Sequence, residues 1–189
     1  MKKIIPLKNW RELYYVLILY KTVAIIERHS YEKINDEWEI VKTSKLYYER
    51  IPYSLSSLSF CTTKLEDCLT PDLITKKYRE ENKNNPMYGH CYHTTQAMFY
   101  LLDTDTLDIM CGTDWRDDKH WWLRDRETGY EVDMTSDQYY SIGKEPPYDN
   151  GKISKWYGWK GRPHMRTLKL IMRLQPNIAN LQTDHLERS

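Results

Sequence analysis

Residues 85–134 constrain the fold more than any other part of this chain. Asn85-Pro86-Met87-Tyr88-Gly89-His90-Cys91 is a turn-rich loop that breaks directly into a helical run over 92–102. Three short alternating segments follow: residues 107–111, Lys119-His120-Trp121-Trp122-Leu123, and Tyr130-Glu131-Val132-Asp133-Met134. Apolar side chains at every second position mark strands. Trp115-Arg116-Asp117-Asp118 and Arg126-Glu127-Thr128-Gly129 supply the turns between them. A helix followed by hairpin-linked strands folds by laying its apolar face on an antiparallel sheet, an α+β arrangement. A turn centred near Glu127-Thr128 sets Asp133 opposite Trp121 or Trp122, diagonal to His120.

That arrangement orders three chemically active groups. A thiol at a helix start feels the positive end of the backbone dipole, which favours the nucleophilic thiolate. With Cys91 on the helix and His120 and Asp133 on successive strands, the pattern is that of a thiol hydrolase, in which histidine shuttles the proton and the acid orients histidine. Each residue alone has a plainer reading. Cys91 would serve as a small buried side chain, His120 as a packed strand residue bonded to a carboxylate, and Asp133 as a turn cap. The order of all three, in the right elements, is what makes the pattern specific.

At 189 residues the chain is long enough to bury a core. Its 28 Lys+Arg and 27 Asp+Glu leave a formal net charge of +1, so no global field argues for a nucleic acid, membrane surface or polyanionic substrate. The four cysteines, at 61, 68, 91 and 111, form no C-x-x-C pair, which argues against a zinc ribbon or a disulfide scaffold. The basic opening Met1-Lys2-Lys3 resembles a signal peptide, but Pro6, Lys8, Arg11 and Glu12 interrupt the apolar region that would follow. The most apolar window, residues 13–26, contains Lys21 and is too short to span a bilayer. A protein of a reducing cytoplasm, without a membrane partner, is expected.

Elsewhere, residues 14–20, 22–26 and 38–41 are rich in β-branched and aromatic side chains and predict strands, with a turn over 30–37 at Asn35-Asp36 and a further extended piece over 47–53. Residues 1–55 thus form a β-rich arm of the same domain, and 56–189 the catalytic core. Thr70-Pro71-Asp72-Leu73 predicts a helix over 71–81, with Pro at its first position. Glu145-Pro146-Pro147-Tyr148-Asp149-Asn150-Gly151 is a rigid loop expected to edge the cleft as a lid or specificity loop. Residues 165–174 predict a final helix, and the polar tail after Pro176 is expected to fray.

The order of Cys, His and Asp is similar to that of the papain-like and transglutaminase-like clan. More narrowly, Asn85-Pro86-x-x-Gly89-x-Cys91, His120-Trp121-Trp122 and Glu131-Val132-Asp133-Met134-Thr135-x-x-Gln138 resemble a bacterial and phage family described as YunG-like. The resemblance covers about residues 60–175 and includes Tyr157-Gly158-Trp159-Lys160-Gly161-Arg162-Pro163, a stretch associated with phage-encoded members. It does not reach the first fifty residues. It implies Cys91 as nucleophile, His120 as general base and then acid, and Asp133 as the orienting group, with no cofactor. Oxyanion stabilisation would come from the Cys91 backbone N–H and an upstream donor, for which Asn84, Asn85 and Tyr88 are candidates. His90 stands where the family pattern has Gln, as a possible substitute donor. Trp122, Gln138 and Trp159 complete the expected substrate wall. The implied substrate is a peptide, a protein or a small amide, cut or transferred at an amide bond or another acyl bond, and in a phage-encoded protein it would be met in the host cytoplasm.

Two other chemistries compete. His90, Cys91 and His93 are crowded, but adjacent residues 90 and 91 point apart on a helix and do not easily share a zinc ion. Lys152, Lys155, Trp156, Tyr157, Trp159, Lys160, Arg162, His164 and Arg166 interleave bases with rings, as in a non-catalytic module that binds nucleic acid or protein. The plainer reading is that Trp156 and Trp159 cover the core while the lysines are solvated.

Overall fold

The computed structural model describes residues 3–6, 16–19, 23–156 and 163–185. The chain is mixed α+β, and its sheets are antiparallel apart from one two-residue bridge. At the N-terminal end β1 (Lys3–Pro6) pairs with β2 (Val16–Leu19). A long hairpin follows, β3 (Val23–Ile34) and β4 (Glu37–Glu49), joined by Asn35 and Asp36 with φ of 49° and 68°. Asn and Asp tolerate this left-handed region, which a two-residue hairpin turn needs. The turn is therefore tighter than the sequence suggested, and residues 30–34 belong to β3. Along β4, Ser44, Leu46 and Tyr48 are buried while Lys45 and Tyr47 between them are half-buried, the alternation of a sheet with one face on the core.

The polar tail does not fray through residue 185. Residues 180–185 form a strand, β11, on the other edge of β4, setting Leu181 opposite Leu46. Backbone pairing with an open edge holds this segment where its own side chains gave no strand signal. Ala179 and Leu181 pack on the core beside it.

Three helices fill the space between this sheet and a second one. Helix α1 (Leu55–Cys68) is capped by Ser54, whose side chain accepts from the Ser57 N–H, and buries Leu58, Cys61, Leu65 and Cys68 on one stripe. The expected helix over 71–81 is broken. Pro71–Leu73 and Lys76–Tyr78 are 3₁₀ turns, and only Arg79–Asn82, here α2, is α-helical. Ile74 and Thr75 between the turns are extended, and Leu73 and Ile74 are both buried. Helix α3 (Cys91–Leu101) starts within a residue of expectation. It leads into β6 (Leu102–Asp103), which forms the parallel bridge with β5 (Ile51–Pro52).

The second sheet has the order β10 (Lys152–Ile153), β7 (Leu107–Thr113), β8 (Lys119–Asp125), β9 (Glu131–Val132). Its register pairs Gly112 with His120 and Leu123 with Val132, so Asp133 falls just past β9, across from Trp122 as the turn at 127–128 required. The strand is shorter than expected, and Asp133 opens the turn into α4 (Asp137–Tyr140). Helix α5 (Met165–Leu174) packs on α3 with Leu168, Leu170 and Ile171 buried. One apolar cluster joins Ala24, Leu46 and Tyr48 of the N-terminal hairpin to Leu65, Met98, Leu101, Leu123 and Ile171, so the arm and the Cys91 helix share a core. Among the described residues no helix is long and apolar enough to cross a membrane.

Candidate active site

Cys91 is the first residue of α3, where the leading N–H groups have no partner within the helix. The loop before it is fixed by Gly89, whose φ of +83° suits glycine, and a Cβ there would meet the Tyr78 Cβ at 2.6 Å. Gly89→Ala is therefore expected to destabilise the fold by about 2 kcal/mol, from left-handed strain plus overpacking. Urea denaturation read by tryptophan fluorescence checks this, and an unchanged midpoint would show that the loop relaxes freely. Cys91 opens on a cleft of about 330 Å³, lined among others by Tyr78, Tyr92, Lys119, Trp121, Gln138 and Tyr139. Its Sγ points at the Lys119 carbonyl, 3.7 Å away, on the strand that carries His120.

His120 has no exposed surface. Its Nε2 lies 2.6 Å from Oδ2 of Asp133. A carboxylate only accepts, so Nε2 carries the proton and Nδ1 is the lone-pair nitrogen of the neutral ring. Nδ1 is buried and lacks a conventional hydrogen-bond partner. Burial would push the imidazole down, but the charge and hydrogen bond of Asp133, with the contact and charge of the Cys91 sulfur, outweigh it and hold the ring up to about 10. The Asp133 side chain is also buried. Desolvation would raise its carboxyl, yet His120 and the Thr135 N–H and hydroxyl keep it below its ordinary value. The expected triad residues are thus brought together, with the imidazole between the thiol and the acid.

The surroundings hold this geometry. Asp133 accepts from the Thr135 N–H at 2.9 Å, the Thr135 hydroxyl at 3.0 Å and the Tyr148 hydroxyl at 3.1 Å. The His120 ring stacks on Trp122 with centroids 5.7 Å apart and meets the edge of Tyr139 at 4.7 Å. Trp122 is fully buried and donates its Nε1–H to Glu131 at 2.6 Å, so it backs the histidine rather than lining the substrate wall. Strand alternation puts its neighbour Trp121 on the cleft instead. The loop over 145–151 is likewise no lid. None of its residues lines the cleft; Tyr148 packs on Trp122 at 5.1 Å and braces Asp133 from behind.

The expected upstream oxyanion donors are elsewhere. Asn85 donates to the Gln138 carbonyl at 2.8 Å, and Tyr88, although on the cleft, gives its hydroxyl to Asp118 at 2.7 Å. Asn84 is exposed outside the cleft. His90 is wholly buried beneath the helix start, away from the cleft, and burial pushes its imidazole down to about 4. It is the residue before the helix begins and turns toward α5 while Cys91 turns toward β8. Gln138 does line the cleft, and Trp159 lies outside the described residues. His93 is buried and bonded to the Thr167 hydroxyl at 3.2 Å. Among the described residues no three His, Cys, Asp or Glu side chains are placed to hold a metal ion. In the basic aromatic stretch, residues 157–162 lie outside the described residues, but Trp156 packs inward on Tyr92, Phe99 and Trp121, which occupies its ring as a core cover. Tyr139 and Tyr148 carry no motif of their own; their signal is adjacency, one to Gln138 and the other to the Pro-Pro turn.

Compared with models of known families, with curated proteins and with solved structures, the chain finds no match.

Proposed function

We propose that the protein is a cysteine hydrolase or acyl transferase, working through Cys91, His120 and Asp133 on a papain-like or transglutaminase-like plan. The observation that carries this reading is the buried imidazole tied to Asp133 at Nε2, with its Nδ1 left for the thiol at the helix start. In the reaction, His120 holds the thiol's proton as imidazolium, and the Cys91 sulfur forms a bond to the substrate carbonyl carbon. The carbonyl π electrons move to oxygen, where the Cys91 N–H meets the charge. The C–N bond then breaks, and the imidazolium proton goes to the departing amine. Water, or an acceptor amine, attacks the thioester carbonyl and gives a proton to the ring, the C–S bond breaks to release the acyl product, and the Cys91–His120 pair recovers its one shared proton. A YunG-like kinship and a site of action in the cytoplasm, the host's if the gene is a phage's, fit this chemistry.

The acyl step is testable without the natural substrate. With p-nitrophenyl acetate the protein is expected to release one equivalent of nitrophenol in a burst and to carry the acetyl group on Cys91, by peptide mass spectrometry. Cys91→Ala removes both. Acetylation scattered over lysines, with no burst, would sink the reading.

A further inference from the structure

Helix α4 places two polar side chains in the cleft that the triad does not use. Gln138 and Tyr139 are each 2% exposed, and both line the cleft together with Cys91. Gln138 is locked. Its side-chain nitrogen sits 2.9 Å from the Thr135 carbonyl, and its own carbonyl is held by Asn85 at 2.8 Å. Because the Thr135 carbonyl can only accept, the atom facing it must be Nε2, and Oε1 is left as the free end of the amide. Among the described residues no hydrogen-bond partner satisfies Oε1, nor the Tyr139 hydroxyl, and neither atom is sealed from solvent. The Tyr139 ring is fixed by edge contacts with His120 at 4.7 Å and Trp115 at 5.7 Å, so its hydroxyl cannot swing away to find a partner. The phenol also feels the charge of the Cys91 sulfur.

A rigid acceptor and a rigid donor on neighbouring residues, both unpaired beside a nucleophile, make up the complement of one chemical group. We infer that Gln138 and Tyr139 select an amide bearing at least one N–H, a primary carboxamide or a peptide-like bond, with Oε1 taking the N–H and the hydroxyl taking the carbonyl oxygen. This rests on the thiol reading above and narrows it. Esters, thioesters and tertiary amides have no proton for Oε1 and leave that acceptor dry, a loss of about tenfold that an activated nitrophenyl ester still tolerates. Tyr139 takes the place of the upstream donor that Asn85, Tyr88 and His90 do not provide.

Two alkylating probes separate this inference from the reading beneath it. Iodoacetamide and N,N-dimethyl-2-iodoacetamide both form a C–S bond at Cys91 with loss of iodide, and they differ at the amide only in its N–H groups. Rates at each cysteine are measured by mass spectrometry and divided by the rates in the urea-unfolded chain. At Cys91 the native preference for iodoacetamide is expected to be about tenfold, the size of one buried hydrogen bond. Gln138→Met should erase that preference, whereas Tyr139→Phe should slow both reagents alike and leave it intact. Equal corrected rates in the native protein, or a preference that survives Gln138→Met, would overturn the inference while fast labelling of Cys91 leaves the thiol reading standing. Labelling of Cys91 no faster than at Cys61, Cys68 and Cys111 with either reagent overturns both.

Discussion

Iodoacetamide is expected to label Cys91 ahead of the other three cysteines at neutral pH, and His120→Ala to slow that labelling by about a hundredfold, the lower range for losing a positioned acid–base group. Cys61 and Cys68 lie in the core beneath α1, and burial pushes both thiols up, so they offer little thiolate and little access. Cys91 opens on the cleft, and the His120 imidazole, held up by Asp133, interacts with its sulfur. The alanine variant deletes that group. Its advantage over Cys111 is therefore predicted to vanish as well, and Cys111 serves as an internal control for global loosening. Equal labelling in the native protein, or indifference to the substitution, would remove the basis for assigning chemistry to this cleft.

The second large effect is on stability and its pH dependence. His120 is held well above its unfolded value, up to about 10, so the stabilisation from its charged form is complete below about pH 6.5 and is lost as the pH rises through 10. Asp133 is held below its ordinary value, so its contribution is present above about pH 4 and is lost on acidification below that. The pair stabilises most between those limits, and the native protein should weaken steadily from pH 6.5 to 10. Asp133→Ala leaves an imidazole buried without its partner, with a cost of about 3 kcal/mol, at the low end for a severed buried pair because the ring can go neutral. Urea midpoints across pH 5 to 10 are the measurement: a slope in the native protein that flattens in Asp133→Ala. Parallel curves for the two proteins would mean that the contact contributes nothing of its own.

The parts of this architecture legible in the sequence are those where periodicity, turn chemistry and burial agree. The Cys91 helix, strands β7 and β8 and helix α5 read clearly because their apolar positions repeat at one period between obvious breakers. Residues 54–69 show no such signal, since Ser56, Ser57, Ser59, Thr62 and Thr63 are weak helix formers; α1 is held by its buried stripe and the Ser54 cap. The grouping of Cys91, His120 and Asp133 is legible from element order, and the strand register carries Asp133 to His120. The lining of the cleft is not. Whether Trp121 or Trp122 faces the cleft depends on which side of β8 meets α3, and the direction His90 takes depends on the single residue at which the helix begins. The break after Leu73, which brings Thr75 and Tyr78 to the cleft, interrupts a run whose apolar spacing suits a helix.

β11 lies against β4 across more than 130 residues of intervening chain. Until β11 arrives, this edge of β4 is an open template of unpaired N–H and C=O groups, and the docking of β11 closes a long loop. During synthesis the helix bearing Cys91 and the strand bearing His120 emerge before residue 180 and can meet first, and this edge of β4 is covered only once β11 has emerged. A chain stalled before residue 180 would display the same edge to its neighbours, which gives truncated forms a route to self-association through strand exchange rather than through unfolding of the site.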